Sequence, residues 1–445
     1  MLQNKHDFDV VIAGGGPAGS SAANFLRQKG RSVLVLERTK FPRFHIGESL
    51  LPFCNPLWKE LGVFEEMNRT YIHKPGARFI HEESGAEFTY YFDNSIRPGN
   101  PYAFQVKREE FDLLLLNRAR ELGAEVREET LVKDVDFGSD RVTVRAIGPD
   151  GAPYEVRAAM FIDATGRDAL IAGKRQLKVH DELVTTNVAL HCMFAGIPRT
   201  NGLEEGNILI GLFDGGWYWV IPFKDGDTSV GFVLEKSYTK VNRGLSRQAM
   251  YEQVLANLPH LSRLMRDAKP LQEVGSQANW SYRCTQFYGD RLLLVGDAAA
   301  FVDPLFSTGV LLAINGARCA AEHVDAALRD GDFSAQRFAS YQEFCISGMD
   351  LFKNLVTEFY AKSLRGVLMA SAGNPTICAV IVSLLAGDVY KPSLWHSLVK
   401  KGGFSEQLGP GMKEQPGAYA SSHEVLAAGP EAGPAAAPAA TSPAT

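Results

Sequence analysis

The stretch "DFDVVIAGGGPAGSSAANFLRQKGRSVLVLER", Asp7 to Arg38, decides the fold of the first part of the chain. An apolar run predicted as a strand, Val10 to Ala13, leads into the pattern G-x-G-x-x-G at positions 14–19. An alanine-rich segment with helical character follows, and a second predicted strand, Ser32 to Leu36, ends on Glu37. Strand, glycine turn, helix and strand in this order predict a dinucleotide-binding βαβ unit.

Each glycine of the pattern, and Glu37, has a physical role in this unit. Gly14 allows the tight turn, Gly16 lets the backbone approach a pyrophosphate, and Gly19 lets the helix pack closely on the strand. The amino end of the helix favours an anion. Glu37 lies about 20 residues beyond the glycines, where a carboxylate can accept hydrogen bonds from ribose hydroxyls. A glycine-rich turn alone is a weak signal, but both strands, the helix and the acid are present.

Composition limits the remaining possibilities. The 445 residues exceed one ordinary domain, so two or three domains are expected. A hydrophobic content of 45%, a charged content of 22% and a net charge of −5 predict a globular protein without the basic field that nucleic acid requires. The six cysteines are scattered without a C-x-x-C pair, which favours reduced thiols over disulfides or a metal site. The amino terminus lacks the pattern of a signal peptide, and the longest apolar run, near residue 380, is too short to span a bilayer. We therefore expect a soluble, cytoplasmic protein without a metal.

The segments after the βαβ unit differ in pattern. "NVALHCMFAG", "NILIGLF" and "WYWVIPF" are predicted strands within the β-rich block 186–237, and "KDGDTSVGFVLE" is a predicted hairpin around residues 225–226. From Val310 onward, apolar residues recur at three- and four-residue spacing, which predicts helices. Residues 403–445 are dominated by Ala, Pro, Gly and Ser and are predicted to be disordered.

Two further elements suggest which dinucleotide binds. "AAMFIDATGR" is a predicted strand ending at Asp163, and "DRLLLVGDAAAFVDPLFSTGVLLAINGA" gives a strand, a Gly296-Asp297 pair and a second glycine-punctuated start of a helix. With the βαβ unit, they resemble the FAD-binding fold of flavoprotein monooxygenases of the p-hydroxybenzoate hydroxylase type. The resemblance implies that Asp297 binds the ribityl chain of FAD and that Arg108, in "FQVKREEFD", lies along the cofactor; helix capping is an alternative role for Asp297. The positions implied in FAD binding are Gly14, Gly15, Gly16, Ala18, Gly19, Glu37, Arg43, Arg108, Asp297, Pro304 and Val310.

The stretch "GGWYWVIPF", residues 215–223, carries two of the five tryptophans of the chain. Alternation along a strand places Trp217 and Trp219 on the same face. The pattern W-x-W-x-I-P, together with F-x-x-P-x-x-S-x-G over 301–309 and Lys74 after "GESLLP", resembles the flavin-dependent halogenases, most closely their phenol- and pyrrole-halogenating branch. This resemblance covers residues from about 8 to 400.

The resemblance implies a role for each of these elements. Reduced FAD and oxygen supply an electrophilic oxygen, and chloride or bromide converts it to hypohalous acid. Trp217 and Trp219 would keep the substrate away from the flavin, although two core indoles would give the same pattern. Amides at the start of a helix would hold the halide at Ser307, Thr308 and Gly309, a turn that hydroxylases use to seat the flavin. Lys74 would be the catalytic lysine, either as a chloramine or by hydrogen-bonding hypohalous acid, whereas a lone lysine in a loop is usually a solvated charge.

Other polar residues have no assigned catalytic role. Glu110 and Asp112 are both conceivable substrate bases, and nothing in the sequence favours either. His45 is expected to be structural, in the same loop as Arg43.

These expectations add up to an α/β protein. It has a Rossmann-like FAD-binding domain, an antiparallel β-sheet substrate domain and a helical C-terminal region. The predicted segments are 1–74, 105–170 and 285–325 for the FAD-binding domain, 75–104 and 171–284 for the substrate sheet, 326–402 for a helical cap, and 403–445 for the tail.

The expected activity is halogenation of an electron-rich phenol or pyrrole, which a carrier protein can present. No second G-x-G-x-x-G follows a strand, and since the related hydroxylases also lack one, this absence does not discriminate between the two activities. The resemblance to the halogenases implies a separate flavin reductase as partner, because that family receives reduced FAD made elsewhere. The alternatives are an aromatic hydroxylase or a geranylgeranyl-reductase-like enzyme on the same fold, and a non-catalytic flavin-binding protein.

Overall fold

A computed structural model describes residues 7–97, 99–180, 187–278, 280–370 and 374–390. The predicted disorder of residues 403–445, and the last part of the predicted helical cap, lie outside these residues. The strands are β1 (Phe8–Ala13), β2 (Val33–Leu36), β3 (Ile72–Lys74), β4 (Gly76–His81), β5 (Glu87–Tyr91), β6 (Ala103–Gln105), β7 (Glu125–Arg127), β8 (Leu131–Phe137), β9 (Val142–Ile147), β10 (Pro153–Asp163), β11 (Lys178–His180), β12 (Val188–Ala195), β13 (Ile208–Phe213), β14 (Gly216–Pro222), β15 (Thr228–Leu234), β16 (Lys269–Pro270), β17 (Gly275–Ala278), β18 (Tyr282–Cys284), β19 (Tyr288–Gly289), β20 (Leu292–Leu294) and β21 (Ala300–Phe301). The α-helices are α1 (Pro17–Gln28), α2 (Asn55–Leu61), α3 (Phe64–Thr70), α4 (Arg108–Glu121), α5 (Leu170–Lys174), α6 (Lys236–Val241), α7 (Arg247–Ala256), α8 (Pro259–Leu264), α9 (Gly309–Asp330), α10 (Ala339–Tyr360), α11 (Ser363–Ala370) and α12 (Pro375–Ala386).

The first sheet is built around parallel strands in the order β7-β2-β1-β10-β20. Its central strands are continuous apolar runs that are buried on both faces, as is typical of parallel sheets covered by helices. Helix α1 packs against α4 and α9. The carboxyl ends of β1 and β10 lie side by side, because Ala13 pairs with Asp163. The predicted βαβ unit and the predicted strand ending at Asp163 are therefore confirmed.

The second sheet runs in the order β16-β12-β15-β14-β13-β4-β5, with β17 beside β12. The three strands predicted in the block 186–237 are β12, β13 and β14, and β14 turns into β15 through the predicted hairpin. All neighbouring pairs are antiparallel except β4 with β13. β4 and β5 come from a much earlier part of the chain than the other strands of this sheet.

Helices α6, α7 and α8 were not predicted from the sequence, and they follow directly after β15. The apolar side chains of Tyr251, Val254 and Leu261 pack on the face of the second sheet that carries Val230 and Phe232. The opposite face of this sheet is thereby left to meet the first sheet. The helices predicted beyond residue 310 are observed as α9 to α12.

The segment boundaries of the predicted domains remain a proposal. Two observations support it: β4 and β5 hydrogen-bond into the second sheet, while β20 hydrogen-bonds into the first. Among the described residues, no helix combines the length and the hydropathy that crossing a bilayer requires.

Candidate functional site

A cleft of about 850 Å³ lies between the two sheets. This volume falls within the range of sites that enclose a cofactor or a small ligand. Most of the sequence-predicted site residues line it: Gly14, Gly16, Ala18, Glu37, Arg43, Arg108, Asp297, Pro304, Val310, Ser307, Thr308, Gly309, Trp217 and Trp219. Gly15, Gly19 and Lys74 do not line it.

The glycine turn is shaped by close backbone contacts. Gly14 has a φ of +101°, and a Cβ at this position would lie 2.3 Å from the carbonyl oxygen of Ala164. A Cβ on Gly19 would lie 1.9 Å from the carbonyl oxygen of Gly14. A Cβ on Gly16, in contrast, would meet only the Arg43 guanidinium, at 3.2 Å. Gly14 and Gly19 are therefore required by the protein itself, whereas Gly16 leaves open space on the cleft side.

Glu37 is held at the end of β2 before any ligand arrives. Its Oε2 accepts a hydrogen bond from the Gly15 amide at 2.7 Å, and its Oε1 accepts from the Thr39 amide and hydroxyl at 2.9 and 2.7 Å. Gly15 therefore contributes by orienting the carboxylate, not by lining the cleft. Oε2 accepts from one protein donor and keeps a second lone pair that can accept from a ribose hydroxyl.

Two arginines on the cleft wall share one buried carboxylate. Arg108 donates to both oxygens of Asp112, at 2.7 and 3.0 Å, and to the Ile46 carbonyl at 2.8 Å. Arg43 Nη1 lies 3.2 Å from Asp112 Oδ2. Asp112 is fully buried and both of its oxygens are engaged, so it is unsuited to be a substrate base. Arg43 and Arg108 retain donors toward the cleft, which suits an anionic or carbonyl-bearing cofactor.

Asp297 lies in a short 3₁₀ turn after β20, and the alternative role as a helix cap is wrong. The residue at the cap of α9 is Thr308, and the cap of the 3₁₀ turn is Val295. Burial raises the pKa of Asp297 to about 6, and the nearby guanidinium groups of Arg108 and Arg167 oppose this shift. The carboxyl group is thus free to interact with a ligand in the cleft.

His45 borders the same cleft, and its Nδ1 lies 2.6 Å from the Ile46 carbonyl, to which it donates. Desolvation, followed by the positive charge of Arg108, lowers its pKa to about 4. The imidazole is therefore neutral at physiological pH, and the structural role expected for His45 from the sequence stays a prediction.

The two predicted tryptophans form one wall of the cleft. Trp217, Trp219 and Ile221 alternate along β14 and all line the cleft, so the predicted shared face is confirmed. Their ring centroids are 5.9 Å apart, with the planes at 49°. Trp219 Nε1 donates to Ser229 Oγ at 3.1 Å, and Trp217 Nε1 donates to the Tyr360 hydroxyl at 3.0 Å. Both rings are thus oriented by a hydrogen bond behind the wall.

Gly231 makes room for one of these rings and was missed by sequence reasoning. It pairs with Trp219 across β14 and β15, and a Cβ on Gly231 would lie 2.2 Å from the indole. The signal that could have revealed it is a glycine inside a predicted strand, which often marks a close approach.

The predicted halide turn immediately precedes α9. Ser307 has a φ of +56°, and its amide donates to the Pro304 carbonyl at 3.1 Å. A serine in this region of backbone space costs about 1 to 3 kcal/mol, which is typical of functional turns. Within the described part of the chain, the amides of Thr308 and Gly309 have no protein acceptor. Helix α9 begins at Gly309 without a side-chain cap, so these donors and the positive helix end suit a small anion.

Lys74 lies on the strand β3 and not in a loop as expected. It is 2% exposed, its Nζ donates to the Leu50 carbonyl at 3.0 Å, and it lies 5.4 Å from the centre of the Phe92 ring. Desolvation lowers its pKa to about 7. Leu50 follows directly on Glu48 and Ser49, which line the cleft, so the amine lies one layer behind the cleft wall. The alternative of a solvated surface charge is therefore wrong.

Several cleft residues were not predicted as site residues. Arg167 donates to the Ala278 carbonyl and to Gln277 Oε1, and Lys178 lies 4.5 Å from the centre of the Tyr282 ring. Arg167 belongs to the D-A-T-G-R element after β10, but nothing in that pattern predicts a role for its side chain. Lys178 and Tyr282 come from paired strands, β11 and β18, that are too short to be detected as a pattern.

The residues present fit a flavin dinucleotide. The uncapped amino ends of α1 and α9 both face the cleft, Glu37 is pre-oriented, and Gly16 leaves space that a side chain would fill. Among the described residues, no three His, Cys, Asp or Glu side chains are grouped as metal ligands.

Comparison with known proteins gives consistent results. The family model described as FAD binding domain matches residues 7–347. The 1H-pyrrole-2-carbonyl-(peptidyl-carrier protein) chlorinase of Pseudomonas fluorescens is 31% identical over 409 residues, covering 86% of this chain and 90% of that protein. The solved structure of the flavin-dependent brominase Bmp2 superposes with a TM-score of 0.80 at 28% identity, covering 88% of this chain and 97% of that one. A flavoprotein/dehydrogenase from Cytophaga hutchinsonii superposes with a TM-score of 0.83 at 27% identity, covering 95% and 99% of the two chains.

Proposed function

Since this chain belongs to the flavin-dependent halogenases, we propose that it chlorinates or brominates a phenol or pyrrole ring that a carrier protein presents as a thioester. The observation that carries this proposal is the composition of the cleft. The tryptophan wall and the turn at 307–309 line the same cleft as the glycine turn, and a buried amine lies one layer behind it.

Reduced FAD, held by the glycine turn, Glu37, Arg108 and Asp297, would supply with oxygen the oxidation of halide to hypohalous acid. The Thr308 and Gly309 amides would hold the halide, because they are donors without a protein acceptor at a positive helix end. Trp217 and Trp219 would keep an aromatic ring from reaching the flavin directly, since their indoles fill that wall.

Lys74 would deliver the halogen to the ring. A pKa of about 7 leaves a large share of the amine neutral near physiological pH, so it can act as a nucleophile or as a hydrogen-bond donor. Hypohalous acid would pass from the cleft beside Glu48 and Ser49, the residues next to the Leu50 carbonyl that holds the amine. An activated ring is needed, because a neutral amine-bound or hydrogen-bonded halogen is a mild electrophile.

The partners follow from the same chemistry. A separate flavin reductase would supply the reduced cofactor, and an acyl or peptidyl carrier protein would hold the substrate, as the name of the Pseudomonas relative states for that enzyme. The six cysteines are all buried and unpaired, which supports a cytoplasmic location.

The test is a reconstituted reaction. Purified protein, a flavin reductase, NADH, FAD and chloride or bromide are incubated with pyrrolyl-loaded carrier protein and with free phenols, and products are identified by mass spectrometry. Halogenated carrier-bound pyrrole is expected, and Lys74→Ala should retain flavin oxidation while losing that product. Efficient hydroxylation of the ring without halide would instead show that the protein is an aromatic hydroxylase.

A further inference from the structure

One buried carboxyl group, that of Asp303, anchors two aromatic residues of the cleft wall from behind. Trp280 Nε1 donates to Asp303 Oδ2 at 3.2 Å. Trp217 Nε1 donates to the Tyr360 hydroxyl, which in turn lies 3.3 Å from Asp303 Oδ2. A continuous chain of hydrogen bonds therefore runs from the Trp217 indole through Tyr360 to Asp303.

The same carboxyl group is also tied to the halide turn. Asp303 lies within the segment 301–309, and its Oδ1 accepts from the Leu305 amide at 2.9 Å. Asp303 is 2% exposed and does not line the cleft, so its acceptors are directed to these protein donors. The turn that would hold the halide and the wall that would exclude the substrate thus share one anchoring group.

These hydrogen bonds restrain rotation of the Trp217 ring. The Tyr360 oxygen accepts the indole N–H, and its own hydrogen is directed to the Asp303 carboxyl group, so the Tyr360 hydroxyl has a hydrogen-bond partner on each side. Without the hydroxyl, the indole N–H would be buried without an acceptor, which typically costs about 1 to 3 kcal/mol. Other conformations of the Trp217 side chain, rotated or displaced, would then be populated alongside the observed one.

We propose that Tyr360 and Asp303 are positioning residues that hold Trp217 in the orientation that closes the cleft toward the substrate. Their effect is on coupling, the amount of halogenated product formed per reduced flavin oxidised, which is higher with the wall intact than with the wall displaced. With the wall displaced, the oxidising equivalents of reduced flavin and oxygen end increasingly as hydrogen peroxide, or as hydroxylated product where the ring reaches the flavin. The inference rests on the proposed halogenase function.

The test compares product yield with flavin oxidation in Tyr360→Phe. Oxidation of photochemically reduced, protein-bound FAD is followed by absorbance, peroxide by a peroxidase assay and halogenated product by mass spectrometry. We expect flavin oxidation to stay within about twofold of the wild type. Halogenated product per flavin should fall by about fivefold or more, with a matching rise in the sum of peroxide and hydroxylated product. Asp303→Asn, which keeps the size but weakens the acceptor, should lower coupling in the same direction.

Two further variants separate positioning from a general loss of stability. Tyr341→Phe removes another buried hydroxyl of the same helix α10, whose bond goes to the Leu294 carbonyl at 2.7 Å, and should keep wild-type coupling. In a Trp217→Phe background, Tyr360→Phe should cause no additional loss, because the indole that it positions is absent. Wild-type coupling in Tyr360→Phe, equal loss in Tyr341→Phe, or full additivity with Trp217→Phe would each overturn the inference. Absence of halogenation by the wild-type protein would instead refute the proposed function.

Discussion

Replacement of Lys74 by methionine should stabilise the protein while abolishing halogenation. Methionine matches the length and apolar stem of lysine but lacks the amine. In the folded state, burial lowers the pKa of Lys74 from 10.5 to about 7, so the folded protein disfavours the protonated form that the unfolded chain holds. A lysine that served only the fold would not be maintained at such a cost.

The magnitude follows from the difference between the two pKa values. At pH 7.5 the Lys74 amine is protonated in the unfolded chain and mostly neutral in the folded one. This difference lowers the free energy of unfolding by about 4 kcal/mol. The lost hydrogen bond to the Leu50 carbonyl offsets about 1 kcal/mol of the gain. The net stabilisation of about 3 kcal/mol falls to about 1 kcal/mol at pH 9, because the unfolded lysine releases its proton more easily as the pH approaches 10.5.

The assay is thermal unfolding at pH 7.5 and pH 9, with both proteins saturated with FAD. An entropy of unfolding of about 2.1 cal/mol/K per residue, over a chain of 445 residues, converts these values into Tm increases of about 3 °C and about 1 °C. Lys240→Met, a change at an exposed lysine of α6, serves as the control and should leave Tm nearly unchanged at both pH values. A Lys74→Met protein that is no more stable than the wild type at pH 7.5, or whose advantage does not shrink at pH 9, would refute the reasoning, as would wild-type halogenation.

Three further predictions test the cofactor site and the amine. Gly16→Val should fold with the wild-type Tm in the absence of FAD and yet purify without the yellow cofactor, because its side chain enters space facing the cleft. A Gly16→Val protein with stoichiometric FAD would contradict this prediction. Gly19→Val should fail to fold, since its Cβ would meet the Gly14 carbonyl. NAD(P)H alone should bleach the bound flavin negligibly in a stopped-flow experiment, whereas rapid bleaching that substrate accelerates would favour a hydroxylase. If the neutral amine of Lys74 carries the halogen, halogenation under single-turnover conditions should rise with pH through about 7 and then level off, because deprotonation produces the reactive form; a rate that falls over this range would exclude that role.

The features that could be predicted from the sequence are those whose determinants are local. The βαβ unit depends on glycines and apolar runs within 32 residues, and the shared face of Trp217 and Trp219 follows from alternation along a single strand. The turn at 307–309 was located from the pattern F-x-x-P-x-x-S-x-G, which lies within nine consecutive residues and directly precedes α9, and its role in halide binding stays a prediction.

The features that escaped prediction depend on contacts between distant parts of the chain. The burial of Lys74 is created by Leu50 and Phe92, which approach it from other segments, so the sequence around it reads as a loop. The link between Asp303 and Tyr360 spans 57 residues. Helices α6 to α8 are short and follow a strongly β-rich block, and α7 and α8 pack on one face of the second sheet.

The order of strands in the first sheet has a consequence for synthesis of the protein. β1 lies between β2 and β10, and β10 lies beside β20. The Ala164 carbonyl occupies the space beside Gly14, so the glycine turn lacks this neighbour until residues about 150 positions later have been made. The helix α9, which faces the other side of the cleft, begins only at residue 309. At translation rates of about 5 to 20 residues per second, the nascent chain spends roughly 15 to 60 seconds without a complete flavin site. Loading of the cofactor must therefore follow release of most of the chain from the ribosome, and a shortage of FAD would leave a full-length apoprotein instead of a stalled nascent one.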